Sequence, residues 1–111
     1  MTNKEKCAVA MLASAFIDFS TQQGLEVLND TLSTLLITFD ELKGYINSFP
    51  NKDNARYIAY SEIRKLSSDD KVVVRNIICN AYFKGGKQGT EHAAFYFKEI
   101  VEECDLANVR I

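Results

Sequence analysis

The 111-residue sequence has no tryptophan and only one histidine, one proline and five glycines. A single imidazole, His92, leaves few options for general acid–base chemistry near neutral pH, where histidine is the usual group. No Asn-Gly or Asp-Gly pair separates alternating apolar runs, so the sequence carries no β-hairpin signal. No apolar stretch approaches the roughly 20 residues that a membrane-spanning helix needs.

An excess of basic charge is also missing. Thirteen basic and fifteen acidic residues give a formal net charge of −2. Proteins that bind nucleic acid irrespective of sequence neutralise phosphates with many lysines and arginines. The composition therefore predicts neither nucleic acid nor membrane as a partner.

The cysteines form no recognisable ligand or redox motif. Cys7, Cys79 and Cys104 are odd in number, widely separated and embedded in apolar runs, which indicates buried thiols in the reducing cytosol. Lys4 and Lys6 precede an apolar run like a weak secretory signal, but an acidic residue between them and helix-like spacing favour a retained helix. We therefore expect a cytoplasmic protein.

Apolar residues recur at helical spacing along most of the chain. Hydrophobic residues make up 47% and charged residues 25%, an ordinary globular composition that suits a single domain over 1–111. The spacing predicts helices at about 3–18, 21–39, 53–66, 69–83 and 90–104, with a helical turn at 40–47. The predicted fold is all-α, a compact bundle of about five to six helices.

The predicted core faces follow these stripes. They place among the buried residues Ala8, Met11, Leu12, Ala15, Phe16, Phe19, Leu25, Leu28, Leu32, Leu35, Leu36 and Phe39. The run Val72–Cys79 is β-branched and would suit a strand, but its length without a turn and the cap before it favour a helix. Because that helix is apolar nearly all round, we expect it to be the central one.

The two halves of the sequence show a weak internal similarity. Ala15-Phe16-Ile17 and Ala81-Tyr82-Phe83 each end an apolar helix, and the loops that follow close on Gln23-Gly24-Leu25-Glu26 and Gln88-Gly89-Thr90-Glu91. With a one-residue gap, this pattern is typical of a duplicated helix–loop–helix. A chance match in low-information loops is the alternative.

Over roughly residues 8–105 this arrangement resembles the tellurite-resistance TerB-like family, small all-helical domains built from two such halves. In that family the acidic loops can bind a divalent cation. Asp18 matches the family's first-loop Asp and Glu26 lies one residue late, so the resemblance implies a cation at Asp18/Glu26 at most. Lys84 stands where the second loop needs an Asp, and hard cations want several oxygen ligands. We expect the fold without a metal site or cofactor.

The second loop suggests an anion site. Its candidate residues are Lys84, Gly85, Gly86, Lys87, Gly89 and Thr90. Glycines expose backbone N–H groups, two lysines add positive charge, and the start of the next helix favours an anion such as phosphate or carboxylate. The alternative is a plain helix connection, in which glycine ends one helix and Thr90 caps the next.

Several aromatic residues fall off the predicted core stripes. Tyr57, Tyr60, Phe95 and Tyr96 are the candidate interaction surface, since exposed aromatics often mark contact sites. No nucleophile, base and carboxylate are spaced as a catalytic set, so we expect no enzyme. The predicted function is a non-catalytic protein-interaction module of TerB-like type that binds a protein partner or forms a homodimer. The alternative is a small-ligand or ion binder at the inter-helix loops.

Overall fold

A computed structural model describes residues 1–107, and short loops connect its helices. Within those residues six α-helices are found and no β-strand, which confirms the predicted all-α bundle. The helices are α1 (Asn3–Ser14), α2 (Gln22–Leu35), α3 (Phe39–Asn47), α4 (Lys52–Arg64), α5 (Ser68–Lys84) and α6 (Glu91–Glu103).

Every helix begins after a side chain that accepts a hydrogen bond from the first turn. The capping residues are Thr2, Thr21, Thr38, Asn51, Ser67 and Thr90. Such caps satisfy backbone N–H groups that have no partner within the helix. Helix α4 begins at Lys52, one residue before the predicted start, because Asn51 caps it and accepts from the N–H of Asp53 at 2.8 Å.

The predicted second helix is two helices. Its stripe continues to Phe39, but Leu36 adopts the left-handed conformation with φ 57° and ends α2. Ile37 then donates its N–H back to Leu32 at 3.1 Å, and Thr38 caps α3. The predicted helical turn at 40–47 is thus a nine-residue helix that begins at Phe39.

This left-handed residue gives a testable prediction. Leu36 is 80% exposed, so its side chain contributes little burial. The left-handed conformation costs a non-glycine residue about 1–2 kcal/mol, and glycine loses about 0.4–1 kcal/mol more backbone entropy. We therefore expect Leu36→Gly to stabilise the protein by about 0.5–1 kcal/mol in urea unfolding.

Leu25 provides the control for that substitution. It is 43% exposed on the same helix but has ordinary helical geometry. Leu25→Gly should therefore destabilise by about 1 kcal/mol. Equal losses at both positions would contradict the strain assigned to Leu36.

The central helix is α1, not α5 as predicted. Six consecutive or near-consecutive residues of α1 are buried: Cys7, Ala8, Val9, Ala10, Leu12 and Ala13. Small side chains let α2, α3, α4 and α5 all pack on it. Helix α5 packs on α1, α2 and α6 but leaves Val73 37% exposed.

Four residues of the predicted stripes also lie on the surface. Phe19, Leu25, Leu36 and Phe39 are between 43% and 80% exposed. All four lie at or near helix ends. The chain changes direction there, so the apolar stripe no longer indicates which side chains are buried.

The loop after α1 and the loop after α5 pair with each other. Ile17 and Gly86 form an isolated antiparallel β-bridge, and the N–H of Asp18 donates to the carbonyl of Gly85 at 2.7 Å. Helix α1 therefore ends four residues before the end of the predicted helix 3–18, because the last residues of that predicted helix belong to this bridge. The bridge connects the two helix–loop–helix halves through their central loops.

The bridge shows how the halves correspond. Thr21 and Thr90 cap α2 and α6 in the same way, each hydroxyl donating to the carbonyl three residues before it, at 3.0 and 2.9 Å. Residues 17 and 86, 18 and 87, 21 and 90, and 24 and 93 are the corresponding pairs. The alignment of Gln23-Gly24 with Gln88-Gly89 is therefore wrong in register, although two similar halves exist.

Candidate binding surface

The candidate aromatic residues lie on α4 and α6, which run side by side. Tyr57 is 56% and Phe95 is 62% exposed, whereas Tyr96 is half-buried between them and the core. The rings of Phe95 and Tyr96 meet edge to face with centroids 5.7 Å apart. Three of the four predicted surface residues are thus brought together on one face.

Tyr60 is the exception. It is only 3% exposed and packs below this surface in the core, so its assignment to the interaction surface is wrong. Helix α4 has α1 on one side and α6 on the other, and so it buries a wider arc than a single stripe. Burial raises the pKa of the Tyr60 hydroxyl, which therefore remains a neutral hydrogen-bond donor.

Sequence reasoning missed the residue at the centre of this face. The helical stripe of α4 predicts a solvated Arg56, but its side chain is 22% exposed and lies against two rings, 5.3 Å from the centroid of Tyr57 and 4.9 Å from that of Tyr96. Its Nε lies 4.0 Å from a carboxylate oxygen of Glu99. The sequence does contain one indication of these contacts. Arg56 directly precedes Tyr57 and lies one helical turn before Tyr60, so aromatic rings are close to it on α4.

Charges of both signs surround the exposed aromatics. A shallow depression on this face is lined by Arg56, Tyr57, Phe95, Lys98, Glu99, Glu102 and Glu103. We call these seven residues together with Tyr96 the α4–α6 surface. Arginine and tyrosine are among the residues that contribute most to protein–protein binding.

Two groups of the predicted anion loop, the Gly85 N–H and the Thr90 hydroxyl, are engaged within the protein. Gly85 is buried and donates its N–H to the carbonyl of Ala81 at 2.8 Å. The hydroxyl of Thr90 donates to the carbonyl of Lys87 and accepts from the N–H of Ala93. These groups are engaged in ending α5 and capping α6, which is the alternative interpretation of the loop.

The glycines of this loop have conformational roles. A Cβ on Gly85 would overlap the carbonyl oxygens of Phe16 and Ala81, and Gly86 and Gly89 have φ values of 99° and 97°. Lys84, the last residue of α5, and Lys87 are exposed. The close approach of Gly85 and Gly86 to residues 16–18 thus belongs to the pairing of the two loops.

The first loop places a carboxylate beside this one. Hydrogen bonds from the hydroxyl and N–H of Ser20 lower the pKa of Asp18, and the charge of Lys87 lowers it further. An ionised carboxylate close to Lys87 opposes the binding of a second anion there. Within the paired loops, the charges of Asp18 and Lys87 thus offset each other.

A cation site at Asp18 and Glu26 also lacks ligands. Among residues 1–107 no three or more histidine, cysteine or acidic side chains are grouped so that they could hold a metal ion. Asp18 uses one carboxylate oxygen to accept from Ser20 at 2.6 and 3.0 Å. Glu26 is exposed and lines a surface depression together with Lys84.

Two of the cysteines lie in the core, and the histidine lies at the surface. Burial raises the pKa of the Cys7 thiol and raises that of Cys104 to about 12. His92 is exposed at the start of α6, where its ring stacks near Tyr96 with centroids 6.4 Å apart. Cys7 and Cys104 are buried as predicted, whereas Cys79 is only half-buried, so the prediction of a buried thiol is wrong for Cys79.

These thiols give a labelling prediction. Because burial raises its pKa to about 12, the Cys104 thiol stays almost entirely protonated at pH 8. We expect an aromatic disulfide reagent to label half-buried Cys79 first in the native protein, and to label Cys7 and Cys104 only after urea is added. Labelling of native Cys104 at the rate of Cys79 would contradict its burial.

No helix in the described part of the chain is long and apolar enough to cross a membrane. Comparison with protein-family models, curated proteins and solved structures finds no match to this chain. The functional argument therefore depends on the geometry of the α4–α6 surface.

Proposed function

We propose that the protein is a non-catalytic protein-interaction module that self-associates through its α4–α6 surface. The observation that carries this proposal is the exposure of two neighbouring aromatics, Tyr57 at 56% and Phe95 at 62%, around a partly desolvated arginine. Large exposed aromatics on a soluble domain often mark contact sites. A TerB-like assignment remains part of the proposal, supported by the two paired helix–loop–helix halves.

A second copy of this chain is the partner that the charges favour. In a two-fold interface the same patch meets itself, so it must be complementary to itself. The α4–α6 surface carries the cations Arg56 and Lys98 beside the anions Glu99, Glu102 and Glu103. A two-fold axis through the aromatic pair can therefore set Lys98 of one copy against acidic residues of the other.

Sedimentation equilibrium tests the proposal. We expect the average mass to rise with concentration from 12.5 kDa toward twice that value. Phe95→Glu puts a charge at the centre of the interface and should weaken association at least about tenfold, as loss of a central aromatic does.

Leu25→Glu is the matched control. It places the same charge on an exposed apolar residue, 43% exposed, of a helix outside the α4–α6 surface, and it should leave the association constant unchanged. A wild-type mass that stays at 12.5 kDa at every concentration, or equal effects of the two substitutions, would refute self-association through this surface.

A further inference from the structure

A cavity of about 340 Å³ lies between α1, α4 and α6, on the inner side of the α4–α6 surface. Its buried wall is formed by Leu12, Ala55, Tyr60 and Ile100. This volume is within the range of about 300–1,000 Å³ that small-molecule sites occupy. Apolar walls with a few polar groups are the usual composition of such sites.

Two of the side chains that line the cavity have buried polar atoms without partners. The Tyr60 hydroxyl and the Arg56 Nε find no hydrogen-bond partner within residues 1–107. Tyr60 is 3% exposed, so its hydroxyl has little access to bulk water. Nearly all buried polar groups in proteins are hydrogen-bonded, and both of these atoms are donors.

The charge at the cavity comes from Arg56. The rings of Tyr57 and Tyr96 hold its guanidinium in place, at 5.3 and 4.9 Å from their centroids. A guanidinium fixed in one orientation suits the planar carboxylate group, which accepts from two N–H groups at once. At the rim the opposite charges of Lys52 and Asp53 offset each other, which leaves Arg56 to select the ligand.

We infer that this cavity binds a small amphipathic carboxylate, with its carboxylate accepting hydrogen bonds from Arg56 and Tyr60 and its apolar body against Leu12, Ala55 and Ile100. The ligand's carboxylate competes with Glu99, which forms an ion pair with Arg56 at 4.0 Å but accepts no hydrogen bond from its Nε. The inference goes beyond self-association and does not rest on it.

Sodium octanoate is the probe, and 1-octanol is its uncharged counterpart. Octanoate at ten times its Kd should raise the Tm of the full chain by roughly 5 °C through mass action. In methyl NMR spectra, signals of Leu12, Ile46 and Ile100 should shift, whereas those of Val27 in α2 should not. At equal concentration 1-octanol should bind at least tenfold more weakly.

Variants test the two donors separately. Arg56→Met should weaken octanoate binding at least tenfold, and Arg56→Lys, the variant that keeps the charge, should lie between it and the wild type.

Tyr60→Phe should weaken binding about fivefold and raise the Tm of the free protein, because a buried hydroxyl without a partner is removed. Glu99→Gln should tighten binding, since it removes the competing carboxylate.

Phe95→Ala separates this test from that of the proposed function, because it removes the exposed ring without adding a carboxylate near Arg56. Phe95 does not line the cavity, so this variant should bind octanoate within twofold of the wild type even where self-association is lost. The inference is overturned if octanoate leaves the Tm unchanged at millimolar concentration, if 1-octanol binds equally well, or if folded Arg56→Met binds octanoate as the wild type does.

Discussion

Gly24→Ala is expected to lower the free energy of unfolding by about 3 kcal/mol, a large fraction of a small domain's stability. A Cβ on Gly24 would overlap the carbonyl oxygen of Asp18, in the turn that leads into α2. That carbonyl belongs to the backbone and cannot rotate away as a side chain can. The turn would have to shift, together with the hydrogen bond from Asp18 to Gly85 that pairs the two loops.

Gly44→Ala is the matched control, and its expected effect has the opposite sign. Gly44 lies inside α3, and a Cβ added there would have no neighbour within 4 Å. Alanine is a better helix former than glycine by about 1 kcal/mol, so this substitution should stabilise the protein by about that amount. Urea unfolding of both variants gives the comparison, and a loss of stability in Gly44→Ala or none in Gly24→Ala would contradict the paired-loop geometry.

Phe16→Ala is expected to cost about 4 kcal/mol. Phe16 is fully buried directly before the bridge, with ring centroids 5.5 Å from Tyr82 and 6.2 Å from Phe97. Truncation would leave a cavity between α1, α5 and α6 and remove both edge-to-face contacts. The result would show as a lower urea midpoint and a lower Tm.

Phe19→Ala provides the comparison three residues further along the chain. Phe19 is 48% exposed beyond the bridge, so its truncation should cost less than about 1 kcal/mol. The sequence places both phenylalanines on one helical stripe and would predict similar losses. Equal costs at the two positions would mean that α1 continues through the bridge residues.

Helix positions are largely predictable because their signals are local. Thr90 can be recognised as a cap from its residue type and position, and it caps α6 as predicted. Helix α5, predicted from about residue 69, begins one residue earlier after its cap Ser67. The apolar stripe does not predict the break at Leu36, because the stripe continues through a residue that favours helix. The sequence signal of this break is the capping box of Thr38 and Glu41 at the start of α3. Just before that box, the N–H of Ile37 returns to Leu32.

The correspondence between the halves depends on tertiary contacts. Matching Gln-Gly letters suggest one register, but the hydrogen bonds align Thr21 with Thr90. Side chains of the loops are free to vary, whereas a cap hydroxyl at the helix start has a fixed role. The spacing of the cap residues is therefore a better guide to this repeat than the identity of the loop residues.

The candidate site is predictable in part for a similar reason. Tyr57 and Phe95 lie off the core stripes and are exposed as expected. Tyr60 and Arg56 are drawn inward because α4 is covered from two sides, by α1 and by α6. One helix's periodicity contains no information about how many neighbours will cover it, so the burial of Arg56 could not be predicted from the sequence.

The most direct test of the α4–α6 surface is isotope-filtered NMR on an equal mixture of labelled and unlabelled chains. It detects only contacts between different copies. The account predicts intermolecular contacts between the rings of Phe95 and Tyr57. Intermolecular contacts confined to Phe19, Leu25 or Phe83, the exposed apolar residues of other surfaces, or none at all, would contradict it.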